Sequence, residues 1–307
     1  MELVKLFNAL PGAISQGMIW GLMAIGVYIT YRILDVSDLT VDGSIATGGA
    51  VAAMLIINGW NVWAALLAAF LVGMLCGFVT GMLHTSFGIP AILSGILTQL
   101  ALYSVNLRIL GNKANVALSI NKYSLLVSSR NARTLALSNP ILILAVFTVC
   151  LIGVLYWFFG TELGCSIRAT GANGNMARAQ GINTSFNKVL GFALANTLVA
   201  LSGAMLCQYN GFAEINMGRG AIVIALAAII IGDVAFGKIF RNFGFKLLAV
   251  SFGSIIYYVV IQLVISEFKM NTNYMKLISA LIVALFLAVP YWKQQYFHKK
   301  NKEGHHA

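Results

Sequence analysis

The stretch that decides the fold is Thr161–Asn183, TELGCSIRATGANGNMARAQGIN, a polar segment between long apolar runs. Its glycines predict a loop, a short helix over residues 176–180 and a second loop. Asn173 or Asn175 can cap that helix, and Gly181 can take the left-handed conformation that ends it. Helices shorter than roughly 12 residues are marginal in water. We therefore predict that a partner protein holds this segment.

The composition around this segment indicates a membrane protein. Of the 307 residues, 59% are hydrophobic and only 9% are charged, and the mean hydropathy is +0.85. A soluble domain normally has about 25% charged residues. No polar stretch is long enough for a soluble domain of ordinary size. The fold class predicted is therefore all-α, a polytopic membrane protein with one transmembrane domain over residues 1–307.

The apolar runs predict about nine spans, because a transmembrane helix needs about 20 mostly apolar residues. The predicted spans are Gly12–Tyr31, Leu39–Ile57, Val62–Leu83, Ala91–Leu110, Pro140–Phe159, Phe186–Tyr209, Ala221–Phe236, Leu247–Ile265 and Tyr274–Tyr291.

The basic loops predict the orientation of these spans. Cytoplasmic loops carry an excess of Lys and Arg, which places residues 161–183 and the basic tail 293–307 in the cytoplasm. Residues 111–139 then form an external loop. The net charge of +11 comes from scattered loop residues and from the tail. We expect the tail to contact anionic membrane lipid, and we predict no nucleic-acid partner.

Polar residues at membrane depth are the candidates for a transport path. The run from Asp35 to Ser44 places three acids at the start of the second span. Two interpretations stay open, because these acids can cap the helix at the interface or face protein or a water-filled cavity. Gln99 and Asn106 can line a path or join helices by hydrogen bonds. The candidate path residues are Asp38, Asp42, Ser44, Gln99, Asn106 and Asp233.

The sequence predicts neither a catalytic site nor a metal site. Its four cysteines lack metal-like spacing, and its four histidines form no catalytic array. Residues 232–239 have the G-xxxx-G-K spacing of a phosphate loop. Ile239, however, replaces the Ser or Thr that such a loop requires, and an apolar helix precedes it instead of a strand. We therefore predict a non-enzyme without a cofactor of its own.

Several motifs resemble the permease subunits of bacterial ABC importers, in the class that includes the branched-chain amino acid and ribose systems. The resemblance rests on Thr161–Asn183 and on Asp38–Ser44, DLTVDGS. The stretches Gly88–Gly111 and Gly220–Gly232 look like the tryptophan/tyrosine branch of that class. The likeness covers the chain from about Pro11 to Trp292.

This resemblance implies that the segment 161–183 holds a coupling helix, which seats in a cleft of a separate ATPase subunit that binds ATP and Mg. It further implies a second permease protomer in a homodimer, an external substrate-binding lipoprotein and a place in the bacterial inner membrane. The stretches 111–139 and 211–220 are candidates for docking that lipoprotein. The residues to which the coupling role falls are Arg168, Asn173, Met176, Ala177, Arg178 and Gly181.

Two functions therefore follow as hypotheses. The first is an ABC importer permease for a small organic solute, with an aromatic amino acid favoured by the resemblance. On the residues alone, tryptophan, tyrosine, branched-chain amino acids and nucleosides all stay open. The alternative is a carrier driven by an ion gradient, motivated by the acids Asp38, Asp42 and Asp233, because intramembrane acids often serve as ion relays.

Overall fold

A computed structural model describes residues 2–119, 122–123, 125–130, 139–237, 239–240 and 242–268, together with helical positions between 277 and 288. Helix α1 continues as a turn of π-helix over Ile29–Ile33. The helices are α1 Glu2–Tyr28, α2 Val41–Ile57, α3 Val62–Thr85, α4 Ala91–Ile109, α5 Pro140–Gly160, α6 Glu162–Ala172, α7 Gly174–Ala179, α8 Thr184–Asn210, α9 Ala221–Phe236 and α10 Phe243–Phe268. The strands are β1 Asn115–Ala117 and β2 Phe212–Glu214.

The helices confirm the prediction of an all-α polytopic membrane protein. Every predicted span from the first to Leu247–Ile265 coincides with an observed helix. The ninth, predicted for 274–291, lies largely outside the described residues, as does the tail. Within the described residues, six helices are long and apolar enough to cross a membrane. Helices α2 and α9 are shorter, at about 25 Å, than the roughly 30 Å of a bilayer hydrocarbon core.

Helix α8 is the centre of the bundle, with α1, α2 and α3 packed around it. Small residues on α3 allow the closest of these approaches. A Cβ atom at Gly77 would collide with the backbone of Phe192, and one at Gly73 would collide with Ala200 and Asn196. Helix backbones in a membrane associate through such small residues because apolar side chains gain little over lipid. The glycine spacing on α3 therefore determines how closely α3 and α8 pack.

The two ends of the bundle differ in structure. At one end β1 and β2 form an antiparallel pair with Val116 opposite Ala213, and we call this the strand end. At the other end α6 and α7 connect α5 to α8, and we call this the α7 end. The predicted orientation places the α7 end in the cytoplasm.

Candidate transport and coupling sites

The two short helices meet at their N-termini. Asp42, in the first turn of α2, accepts hydrogen bonds from the backbone N–H groups of Gly220, at 3.0 Å to Oδ2, and Ile222, at 3.2 Å to Oδ1. Gly220 is the N-cap of α9 and has φ +84°. The first N–H groups of a helix have no partner within the helix. One carboxylate on α2 thus caps α9, and we call residues 38–44 and 218–222 the half-helix junction.

The half-helix junction lies midway between the two ends of the bundle. From it, α2 runs to the strand end, where the Ile57 carbonyl accepts a hydrogen bond from Tyr123. Helix α9 runs the other way, to the α7 end, where Asp233 lies 3.7 Å from Arg32. At 1.5 Å per residue each helix covers about 22 Å from the junction to its far end. The two together match the roughly 40–45 Å thickness of a bilayer with its head groups.

A buried polar network surrounds the start of α2. Asp38 accepts hydrogen bonds from the backbone N–H of Thr40 at 2.9 Å and from Nδ2 of Asn196 at 2.7 Å. The Ser44 hydroxyl donates to Oδ1 of Asn196 at 2.7 Å. All of these side chains are buried. Because an unpaired polar group in such surroundings costs several kcal/mol, the network fixes α2 against α8.

Three threonine hydroxyls extend this network to α3 and α4. Thr80 Oγ1 lies 2.8 Å from Thr40 Oγ1 and donates to Thr98 Oγ1 at 3.0 Å. These threonines and Asn196 are not among the path residues predicted from the sequence. A threonine within an apolar run is weakly polar and gives little signal. An amide in the middle of a predicted span is a clear polar signal, and Asn196 could have been predicted from it.

The remaining path candidates lie apart from one another. Gln99 is half-buried beside Gly43. Asn106 is buried on α4, and its Oδ1 has no hydrogen-bond partner among the described residues. Asp233 lies about 18 Å along α9 from the junction and pairs with Arg32 at the α7 end. Asp233 therefore does not lie with Asp38 and Asp42, because the direction of α9 carries it away from them.

The segment before the short helix is itself helical, so the first predicted loop is wrong. Residues 162–172 form α6, and the Thr161 hydroxyl caps it through the backbone N–H of Gly164 at 3.4 Å. The glycines that suggested a loop are packing positions. A Cβ atom at Gly164 would collide with the backbone of Phe159, and one at Gly171 with that of Ile33. Close approach, rather than a turn, explains these two glycines.

The short helix itself forms as predicted, as α7 over Gly174–Ala179. Asn173 Oδ1 accepts from the backbone N–H of Met176 at 3.0 Å, and Gly181 has φ +81°. Met176 is 63% exposed, whereas Ala177 is buried against the protein. Helix α7 is thus anchored on one side and presents a flexible apolar side chain on the other.

The two arginines of this segment hold it to the membrane helices. The Arg168 guanidinium lies over the ring of Phe243 on α10, 5.4 Å from its centroid, in a cation–π contact. Arg178 Nη2 donates to the hydroxyl of Thr184, at the start of α8, at 3.3 Å. A displacement of α7 can therefore pass to α8, which carries Asn196, and to α10.

At the strand end, pairing of β1 with β2 brings together parts of the two predicted docking stretches, 111–139 and 211–220. Only the first part of the second stretch lies at this end. Met217 contacts Gly49 on α2, and Gly218 packs against the backbone of Asp42. The chain therefore descends over these residues to the half-helix junction. The stretch thus links the strand end to the middle of the bundle.

A helical bundle with two half-helices that meet in its middle has the architecture of a membrane transport protein. The chain belongs to the family of permease components of branched-chain amino acid transport systems, whose model matches residues 10–289. No solved structure matches the chain. The chain is therefore a permease component of an ABC-type transport system and a multi-pass protein of the bacterial inner membrane.

Individual relatives agree with this family. The tyrosine transport system permease protein of Clostridioides difficile (strain R20291) is 39% identical over 281 residues, which cover 92% of this chain and 91% of the relative. Protein RP368 of Rickettsia prowazekii (strain Madrid E) is 31% identical over 92% of this chain and 97% of its own. The autoinducer 2 import system permease protein LsrC of Yersinia pestis (strain Pestoides F) is 32% identical over 72% of this chain and 61% of its own.

Proposed function

We propose that the chain is the permease of an importer for an aromatic amino acid, with tyrosine as the first candidate, driven by ATP hydrolysis in a separate subunit. Support for the solute comes from the tyrosine permease relative, which aligns over 92% of this chain. Support for the mechanism comes from α7 and its connections to the helices that reach the half-helix junction.

The proposed coupling role rests on Met176, which is exposed on a helix whose two ends are both capped. Helix α7 has its own caps at both ends and is fixed to the bundle through Ala177 and Arg178. Its outward face has no partner among the described residues. A methionine is an adaptable contact for a cleft on another protein. The cleft of the ATPase subunit is its proposed partner, on the cytoplasmic side.

A conformational change needs an interaction that differs between two states. Seating of α7 in the ATPase provides that interaction, and Arg168 and Arg178 pass the movement to α10 and α8. The carrier driven by an ion gradient is less well supported, since Asp42 caps a helix and Asp38 is held by Asn196. Both carboxylates therefore have structural roles that require no ion.

The remaining partners belong to the same proposal. An external binding protein delivers the solute to the strand end, where β1 and β2 combine both candidate docking stretches. A second permease copy completes the path, as the resemblance to ABC importers implies. The large exposed apolar faces of α4 and α5 are available to that copy and to lipid.

The test is uptake of labelled tyrosine by liposomes that contain the permease, its ATPase and its binding protein. Met176→Asp should reduce ATP-driven uptake at least about tenfold, because a charge in an apolar contact loses about 2 kcal/mol or more. Phe87→Asp is the matched control, since Phe87 is also exposed at the α7 end but lies outside α7. Undiminished uptake by Met176→Asp, or an equal loss in both variants, would contradict the proposed coupling site.

A further inference from the structure

Arg219 is a charged residue in the half-helix junction that is not among the site residues predicted from the sequence. It directly precedes Gly220, the N-cap of α9, and its side chain is exposed. Its backbone N–H donates to the Asn216 carbonyl at 3.1 Å. Its guanidinium has no hydrogen-bond or ion-pair partner among the described residues. An unpaired cation therefore lies on the surface of the bundle.

The depth of Arg219 determines what this surface can face. The junction lies about 22 Å from the far end of α2 and of α9, so the side chain cannot extend to either membrane interface in the way that arginines near helix ends do. An arginine at the bilayer centre is costly in lipid and almost always faces protein or a water-filled cavity. A Cβ atom at the adjacent Gly220 would likewise meet open space. The surface that includes Arg219 is therefore not a lipid-facing one.

Asp42 does not pair with this cation. Both of its carboxylate oxygens accept hydrogen bonds from the N-terminus of α9, one from Gly220 and one from Ile222. The carboxylate is thus engaged with that helix end, and it forms no ion pair with Arg219 among the described residues. Val223, one turn into α9, is 43% exposed on the same helix and supplies apolar surface nearby.

We propose that Arg219 lies in the solute path and binds the carboxylate of the amino acid as it passes the half-helix junction. This inference rests on the proposed function for the identity of the solute. A guanidinium binds a carboxylate through two parallel hydrogen bonds, which suits a group common to all amino acids. Arg219 then selects for the α-carboxylate, while the side chain of the solute meets the apolar surface.

The first experiment tests access and charge, and it uses the permease without ATPase or solute. Cys150 and Cys165, the exposed native cysteines, are replaced by Ala, and Val223→Cys is introduced. The rates at which this cysteine reacts with two methanethiosulfonate reagents are measured in liposomes. One reagent carries an anionic sulfonate, and the other carries a cationic trimethylammonium group. Val149→Cys is the control, because Val149 is exposed on α5, a helix without a charged residue.

The cysteine at 223 should react at least about tenfold faster than the one at 149, since the thiolate that reacts forms only in water. Adding Arg219→Gln should lower the ratio of anionic to cationic rates about tenfold, as loss of a nearby charge predicts. Equal, slow reaction at both positions would overturn the proposal, because lipid or a second permease copy would then cover the surface. An unchanged ratio would overturn the role of Arg219 in attracting anions.

The second experiment tests the solute. In the complete transporter, Arg219→Gln should reduce tyrosine uptake at least about tenfold, the loss expected when a hydrogen bond to a charged group is removed. Arg219→Lys should keep part of the rate because it keeps the charge. Arg108→Gln, at an exposed position near the strand end of α4, should have little effect. Full uptake by Arg219→Gln would contradict the proposal, whereas the Met176→Asp test of coupling would be unaffected.

Discussion

The half-helix junction and helix α7 are both polar interruptions of an apolar chain, and each contains a helix capped by an Asp or Asn side chain. In the junction the cap is long-range, because Asp42 binds Gly220, 178 residues away. In α7 the cap is local, because Asn173 binds Met176, three residues on. A long-range cap joins two elements and becomes part of the core. A local cap completes one helix and leaves its outer face available to a partner.

This difference predicts the largest loss of stability for the buried network, at Asn196. Asn196→Ala removes the acceptor of the Ser44 hydroxyl and leaves Asp38 with the backbone N–H of Thr40. Two buried groups that each lose a hydrogen-bond partner should together cost about 2–4 kcal/mol. The thermal unfolding temperature of the purified permease in detergent measures the loss.

The neighbouring position provides the control for Asn196. The Thr197 hydroxyl is also buried, but it donates only to the Ala193 carbonyl of its own helix. Thr197→Val should therefore cost less than about 1 kcal/mol. Equal losses in the two variants would show that the network does not stabilise the junction.

The next largest effect is expected at Asp42. A helix cap and an ion relay at this position predict opposite effects of Asp42→Asn on uptake. Asp42→Ala removes both acceptors from the N-terminus of α9 and should cost about 1–2 kcal/mol. Asp42→Asn keeps one acceptor, so it should retain most of the stability and most of the ATP-driven uptake. Unfolding temperature and tyrosine uptake are measured for both variants. If Asp42→Asn lost uptake as completely as Asp42→Ala while staying stable, the carboxylate charge itself would be required.

The sequence predicted the local features of both regions more accurately than their long-range ones. The cap at Asn173 and the left-handed Gly181 are confirmed, because both follow from residues within a few positions of α7. The helix α6 was missed because Gly164 and Gly171 predict a turn locally. They serve instead to let α6 approach Phe159 and Ile33, residues that the local pattern does not include.

The half-helix junction was beyond sequence analysis for a related reason. The lengths of α2 and α9 were predicted nearly correctly, yet each was interpreted as a complete span. Their opposite directions from a common midpoint depend on the descent of residues 211–220 into the bundle, which places Gly220 against Asp42. On the resemblance to ABC importers, the segment was a candidate for docking the external lipoprotein. Arg219 was therefore not considered at membrane depth.

The smallest effect on the bundle is expected at the two ends of α7, where Gly174 and Gly181 form a matched pair. Gly181 has φ +81°, whereas Gly174 is helical, and a Cβ atom at either position would meet nothing within 4 Å. Gly181→Ala should therefore cost about 1–2 kcal/mol of backbone strain, and Gly174→Ala should be neutral or slightly stabilising. Because α7 is a local unit, the strain should increase amide hydrogen exchange in residues 174–181 and leave the unfolding temperature of the bundle nearly unchanged. A fall in that temperature comparable to the one at Asn196 would show that α7 belongs to the cooperative core, and the contrast between the two regions would then be wrong.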